Sequence, residues 1–281
     1  MNEAGNERAG LCGRRLVLLG FGNVALAVRA AAGCYNEIAG TTRSVERLSS
    51  IDTQGVKSFL LSAELGKSVR ELIEGADLLV SFPPERQSDE VLSKLAKSAR
   101  KIVYISSTGV YGKISGKIDE SSPVDLEFPG AAERLGAEEL WREQGAIVLR
   151  APGLYGPKTG LHIRLRERTY RLPGDGQNHI SRIHLADLAR IALAALECGI
   201  AASVYVVGDL APVPQIEVVE WLCRKMNLPL PLSVPLDEVS PTLRGNRQVM
   251  ADRVLRDLDL KLLFPSYKEG FEQCLTAESG R

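Results

Sequence analysis

Ser106, Ser107 and Thr108 follow the apolar run KIVYI, and Tyr111 stands three residues beyond them. Hydroxyls at a strand end can donate hydrogen bonds to a carbonyl oxygen, and a phenol can exchange a proton, so these residues have the types a reaction at a carbonyl carbon needs. The other candidate chemistry lies near the start of the chain, in Gly20-Phe21-Gly22-Asn23-Val24-Ala25. In this G-x-G-x-x-A pattern Gly20 permits a tight turn, Gly22 lets backbone approach a pyrophosphate, and Ala25 allows helix to pack closely on strand. The amides at Gly22, Asn23 and Val24 would then face an anion at the helix start. The alternative is a tight turn that serves only the chain.

Two further strand ends belong with this turn. Thr42 and Arg43 close the run EIAGTT, where Asp or Glu would suit ribose hydroxyls and an arginine suits a 2′-phosphate, so NADP is favoured over NAD. Arg43 as a solvated surface charge is the competing reading. Ser81, Phe82, Pro83 and Pro84 form a stiff turn after ADLLV, beside the adenine and ribose ends of a dinucleotide or simply ending the strand.

These residues need a scaffold of parallel strands. Short apolar runs alternate with helical segments from Arg14 to Ser107: RLVLLG, EIAGTT, VKSFLL, ADLLVSF and KIVYISS are the strands, with NVALAVRAAAG, SVRELIEG and RQSDEVLSKLAKSA between them. Continuous apolar strands are covered on both faces. The fold class is therefore α/β, a Rossmann-like doubly wound parallel sheet with a smaller C-terminal substrate lobe. The pattern continues with helices at ERLGAEELWREQG, LADLARIALAALECG and PQIEVVEWLCRKMN and strands at AIVLRAP and SVYVVGD, then turns proline-rich before a short charged helix and the tail FPSYKEGFEQCL. The expected division is a flexible tail over 1–13, a dinucleotide-binding domain over 14–209 with 155–182 contributing to the small lobe, and the lobe itself over 210–281.

Composition narrows the function classes. Lys plus Arg and Asp plus Glu are 35 each in 281 residues, so no net field draws the chain to nucleic acid or an anionic membrane, and a small-molecule partner is expected. Five scattered cysteines and three histidines without ligand spacing suggest a reducing, cytoplasmic setting and no metal site. Arg14 and Arg15 before LVLLGFGNVALAV imitate a secretory signal, but Gly20 and Gly22 interrupt the run, which reads better as a strand feeding a turn.

Taken in order, the glycine turn, SSTGVYG at 106–112, IDESSPV at 118–124, LRAPGLYGP at 149–157 and RIHLADLA at 182–189 resemble the extended short-chain dehydrogenases/reductases, the NAD(P)-dependent epimerases and dehydratases, and especially their atypical members. The resemblance implies that Ser107 hydrogen-bonds the substrate oxygen, with Thr108 and Tyr111 as neighbouring candidates and Ser106 at the cofactor. Pro152, Gly153 and Leu154 are implied along the nicotinamide side, and His184 and Asp187 at the pocket base. A homodimer is also implied. Catalytic members carry a tyrosine and, four residues on, a lysine; here the comparable positions are Gly130 and Arg134. Glycine cannot exchange a proton, and arginine stays charged, so Arg134 is left with a cofactor contact or a pair with Glu138. Tyr111, Tyr155, His162 and His179 are the available substitutes. The expectation is an NAD(P)-binding oxidoreductase or epimerase-like protein with an altered proton-transfer group; the alternative is a non-catalytic dinucleotide sensor or scaffold.

Overall fold

The computed structural model describes residues 11–61 and 66–279. In the first half, strands β1 (Arg15–Leu19), β2 (Glu37–Thr42), β3 (Lys57–Leu60), β4 (Asp77–Val80) and β5 (Lys101–Ser107) alternate with helices α1 (Asn23–Ala31), α2 (Leu48–Asp52), α3 (Gly66–Ile73) and α4 (Arg86–Leu95). β6 (Gly116–Ile118), α5 (Ala131–Arg142), β7 (Ile147–Ala151), β8 (Gly153–Tyr155), α6 (Leu161–Arg166), β9 (Leu172–Pro173), β10 (Arg182–His184), α7 (Leu185–Cys198) and β11 (Val204–Val206) follow. The chain ends with α8 (Gln215–Met226), β12 (Ser233–Val234), β13 (Arg247–Val249), α9 (Asp252–Asp257) and α10 (Tyr267–Ser279).

Seven strands form one sheet in the order β3-β2-β1-β4-β5-β7-β11, with β1 paired parallel to both β2 and β4. The chain runs outward from β1 through β2 to β3, then restarts at β4 on the other side of β1. That reversal is the topological switch point of a Rossmann-like sheet, and it opens a crevice beyond the carboxyl ends of β1 and β4. The fold class expected from the strand and helix pattern is the one observed.

Contacts group the chain into two compact units. The first holds the described residues through Ser106, with Leu135–Leu149 and Ala189–Val204; the second holds Ser107–Arg134, Arg150–Leu188 and the chain from Tyr205 onward. Of the tail expected over 1–13, residues 1–10 lie outside the described residues, and Leu11 is fully buried.

In the first unit the apolar faces of β1, β4 and β5 pack with α3, α4 and α5 around Val17, Leu78, Val80, Tyr104 and Trp141. Trp141 is fully buried, stacks on Tyr104 with ring centroids 6.1 Å apart, and donates its indole N–H to Asp89 at 2.7 Å. At the opposite end of the strands, fully buried Asp77 accepts the Tyr35 hydroxyl at 2.9 Å and pairs with Arg100. The ion pair and hydrogen bond offset part of the cost of burial, which still raises the Asp77 pKa.

In the second unit α8 and α10 pack Val218, Leu222, Tyr267 and Phe271 against Tyr155 and Tyr170. The segment read as a C-terminal tail is thus the thirteen-residue helix α10. Its Gly270 meets the Tyr155 hydroxyl where a Cβ would collide. Three short parallel pairs, β8 with β10, β9 with β12 and β13 with β6, bind this unit together.

Replacing Trp141 removes a large buried ring and the indole hydrogen bond to Asp89, whose other oxygen still accepts the Glu85 N–H at 2.8 Å. Trp141→Ala is expected to lower the unfolding free energy by about 3–5 kcal/mol, and Trp141→Phe by about 1–3 kcal/mol. Urea denaturation followed by circular dichroism measures both.

Candidate functional site

The turn after β1 is held from its two neighbouring strands. Thr41 at the end of β2 accepts Gly20 N–H through its hydroxyl at 3.1 Å and Phe21 N–H through its carbonyl at 3.0 Å. Just past β4, the Ser81 hydroxyl donates to the Gly20 carbonyl at 2.8 Å. Gly20 sits at φ +87°, and a Cβ there would come within 2.8 Å of the Phe82 amide nitrogen, so this position must be glycine for the chain to pass. Gly22 differs. It is extended backbone at the N-cap of α1, and a Cβ on it would meet no atom within 4 Å. No side chain caps α1, and its first intrahelical bond is from Leu26 N–H to the Gly22 carbonyl at 2.9 Å. The amides of Asn23 and Val24 therefore lack intrahelical acceptors, next to a residue with open space where a Cβ would stand. Uncapped amides beside an open glycine fit a diphosphate, the anion a nicotinamide dinucleotide carries.

Around this turn the candidate residues divide by task. Ser81 and the buried Phe82 hold Gly20 in place, and Thr42 accepts the Ser44 N–H through its hydroxyl at 3.2 Å. Arg43 is exposed after β2. Pro83 and Pro84 lead into α4, which Glu85 caps by accepting the Ser88 N–H at 3.0 Å. That bond holds the Glu85 carboxyl below the usual carboxylate range, with a smaller contribution from the Arg43 guanidinium. Arg47 was not singled out from the sequence, yet its guanidinium donates to the Phe21 carbonyl at 2.6 Å and fixes a cation beside the glycine turn. Only the tertiary return of the 3₁₀ turn before α2 puts it there.

In the second unit a pocket of about 220 Å³ is lined by Ser107, Thr108, Pro152 and Gly153 from the expected set, together with His179 and Arg247. The Ser107 hydroxyl accepts the Gly109 N–H at 3.0 Å and so begins a 3₁₀ turn, which leaves its hydrogen available to an acceptor in the pocket. The Ser181 hydroxyl, also in the wall, ties β10 to β13 by donating to the Arg247 carbonyl at 3.0 Å and accepting Val249 N–H at 2.9 Å. His179 is half-buried. Its backbone N–H donates to Asn246 Oδ1 at 2.9 Å, which identifies that atom as the oxygen, and the ring Nδ1 lies 3.1 Å from the same oxygen. Nδ1 must then carry the hydrogen, so in the neutral ring Nε2 keeps its lone pair.

Leu154 lines an adjoining cavity of about 290 Å³ that shares Gly153 and Ser181 with the first. Buried Arg182 in its wall donates to Gln215 at 2.7 Å. Opposite Arg182, burial pushes the Asp209 carboxyl up to about 7 despite the attraction of that guanidinium.

The remaining candidates are engaged elsewhere. Tyr111 is fully buried, and its hydroxyl accepts from Arg150 at 3.0 Å. Ser106 is buried and donates to buried Glu138 at 2.5 Å. Gly130 has φ +78° just before α5, a backbone role glycine fills readily, and Arg134 is half-buried in the first turn of that helix. Tyr155 and His162 lie in the packing around Phe271, where burial raises the phenol pKa and lowers the imidazole pKa. Burial likewise lowers His184 to about 4. Asp187 accepts the Leu263 and Phe264 N–H groups at 2.7 and 3.0 Å, anchoring the chain before α10. Among the described residues no His, Cys, Asp and Glu side chains group to hold a metal, and no helix is long and apolar enough to cross a membrane.

Comparison with solved structures places this architecture. A conserved protein of unknown function from Silicibacter pomeroyi superposes with a TM-score of 0.81 at 26% identity, over 94% of this chain and 99% of that one. The dTDP-glucose 4,6-dehydratase of Bacillus anthracis, solved in complex with NAD, superposes with a TM-score of 0.75 at 17% identity, over 96% and 97% of the two chains. The UDP-glucuronic acid 4-epimerase of Bacillus cereus, also solved with NAD, gives a TM-score of 0.75 at 16% identity, over 94% and 99%. The last two likenesses are of fold. No curated protein matches the sequence. Residues 87–208 match the model of the NAD dependent epimerase/dehydratase family.

Proposed function

We propose that the chain binds a nicotinamide dinucleotide, with NADP favoured, and serves oxidoreductase or epimerase-type chemistry on a small carbonyl or hydroxyl compound. The observation that carries this reading is the glycine turn: it is pinned by Thr41 and Ser81, yet leaves the α1 amides uncapped and Gly22 open. The NAD in the solved relatives supports it. When bound, the dinucleotide supplies or accepts a hydride. Gly22, Asn23 and Val24 would hold its diphosphate, and Arg43, with Arg47 nearby, would meet a 2′-phosphate. Ser107 and Thr108 would donate hydrogen bonds to the substrate oxygen. With glycine at the tyrosine position, His179 Nε2 is the group in the same pocket able to accept a proton from a hydroxyl during oxidation or return it during reduction.

A second reading has its own support. Gly130 stands where the family tyrosine is expected, and the Tyr111 hydroxyl already accepts from Arg150, so the chain would bind dinucleotide as a sensor without turnover.

Titration with NADPH and NADH, read by thermal shift, tests the shared claim, because a ligand that binds only the folded state raises its melting temperature. Gly22→Ala is expected to change the unliganded protein's stability by less than about 1 kcal/mol while weakening dinucleotide binding at least about tenfold. Gly20→Ala is expected to cost about 2 kcal/mol or more of stability, because it forces a Cβ toward Phe82. Arg43→Ala is expected to weaken NADPH at least about tenfold more than NADH; equal losses would remove Arg43 from the phosphate site. A panel of aldehydes and ketones assayed with NADPH separates the two readings. Consumption that His179→Gln abolishes supports turnover through His179, whereas no consumption with any compound supports the sensor.

A further inference from the structure

Arg247 is 8% exposed and lines the pocket that holds Ser107 and His179. Its backbone is fixed on both sides: Arg247 N–H donates to the His179 carbonyl at 2.9 Å, and β13 pairs in parallel with β6. Its guanidinium lies against the Cα face of Gly245, where any Cβ would collide, and donates through one Nη to the Gly112 carbonyl. Gly112 is the only acceptor of this guanidinium among the described residues, and no carboxylate pairs with it. Nor does any acidic residue line the pocket. Its pKa is lowered, and burial is the cause.

Arginine cannot shed its proton in a protein, so this cation is held largely out of water without a countercharge. Removing a guanidinium from water is unfavourable unless an anion or several acceptors replace the lost solvation. Arg182, also buried in this unit, shows the ordinary remedy, with Asp209 opposite and Gln215 as an acceptor. For Arg247 the described residues supply one carbonyl, and the residue lines the pocket.

We propose that this pocket takes a substrate bearing an oxyanion, a carboxylate or a phosphate, and that Arg247 is the residue that binds it. Resting on the reading of the pocket as the substrate chamber, this assignment adds the substrate's charged group. A planar guanidinium can present two parallel N–H bonds to either oxyanion, while Ser107 and Thr108 remain for a second oxygen on the same molecule.

Inorganic phosphate and malonate, each titrated without dinucleotide against chloride at constant ionic strength, test the proposal by calorimetry. Saturable binding of one or both by the wild-type protein is expected, with affinity falling at least about tenfold in Arg247→Gln and unchanged in Arg224→Gln, an exposed arginine on α8. Phosphate alone points to a phosphorylated substrate, and malonate alone to a carboxylic acid. Because Arg247→Gln could unfold, the Arg247 Nε–H resonance of the wild-type protein is followed in the same titrations and is expected to shift with saturation. No saturable binding, equal affinity in a folded Arg247→Gln, or an unmoved Arg247 resonance would overturn the proposal. Dinucleotide binding is measured separately, so its loss and the loss of oxyanion binding are distinct outcomes.

Discussion

Between β1 and α1 the chain must turn sharply within a sheet that is occupied on both sides, and the candidate cofactor site depends on how that turn is held. Thr41 grips two of its amides from β2, and Ser81 grips its carbonyl just past β4. With Gly20 backed against Phe82, the turn has no room to relax away from the sheet. A loop of that length fixed only at its ends would sample many conformations, and ordering it on binding would cost conformational entropy. Here the ordering is already done in the protein, so a bound diphosphate would meet amides aimed in advance.

The second unit places a different kind of pressure on its pocket. Three parallel pairs of two or three residues each knit segments that are far apart in sequence, and Ser181 joins two of them by donating to the Arg247 carbonyl and accepting the Val249 N–H. These bonds set His179 and Arg247 in the wall with little freedom. An imidazole with a fixed tautomer and a desolvated guanidinium are costly to maintain, and side chains of that kind concentrate at sites that act on ligands.

The strands of the sheet were legible because each is a continuous apolar run bounded by turns, and β2 and β5 coincide with the runs EIAGTT and KIVYISS. The glycine turn was legible for a related reason, since a backbone requirement leaves a residue-type signature. Helix α10 was not: the segment FPSYKEGFEQCL read as a tail, whereas Pro265 precedes the helix and Gly270 is demanded by the bulk of Tyr155. The three short strand pairs escaped because two or three residues carry no periodicity, and their partners lie dozens of residues away. The pocket followed the same rule. Ser107, Thr108, Pro152 and Gly153 sit in recognisable motifs, while Arg247 and Arg47 acquire their positions from tertiary contacts with Gly112 and Phe21. Tyr111 shows the converse, a motif residue whose hydroxyl is engaged by an arginine 39 positions away.

The central claim is that the α1 amides next to Gly22 receive a dinucleotide diphosphate. A crystal structure of the protein grown with NADP⁺ tests it most directly. The account expects diphosphate density within hydrogen-bonding distance of the Asn23 and Val24 amides, with Gly22 in contact and no Cβ intervening. Full-occupancy dinucleotide bound elsewhere, or an empty crevice at saturating NADP⁺ and NAD⁺, would contradict it.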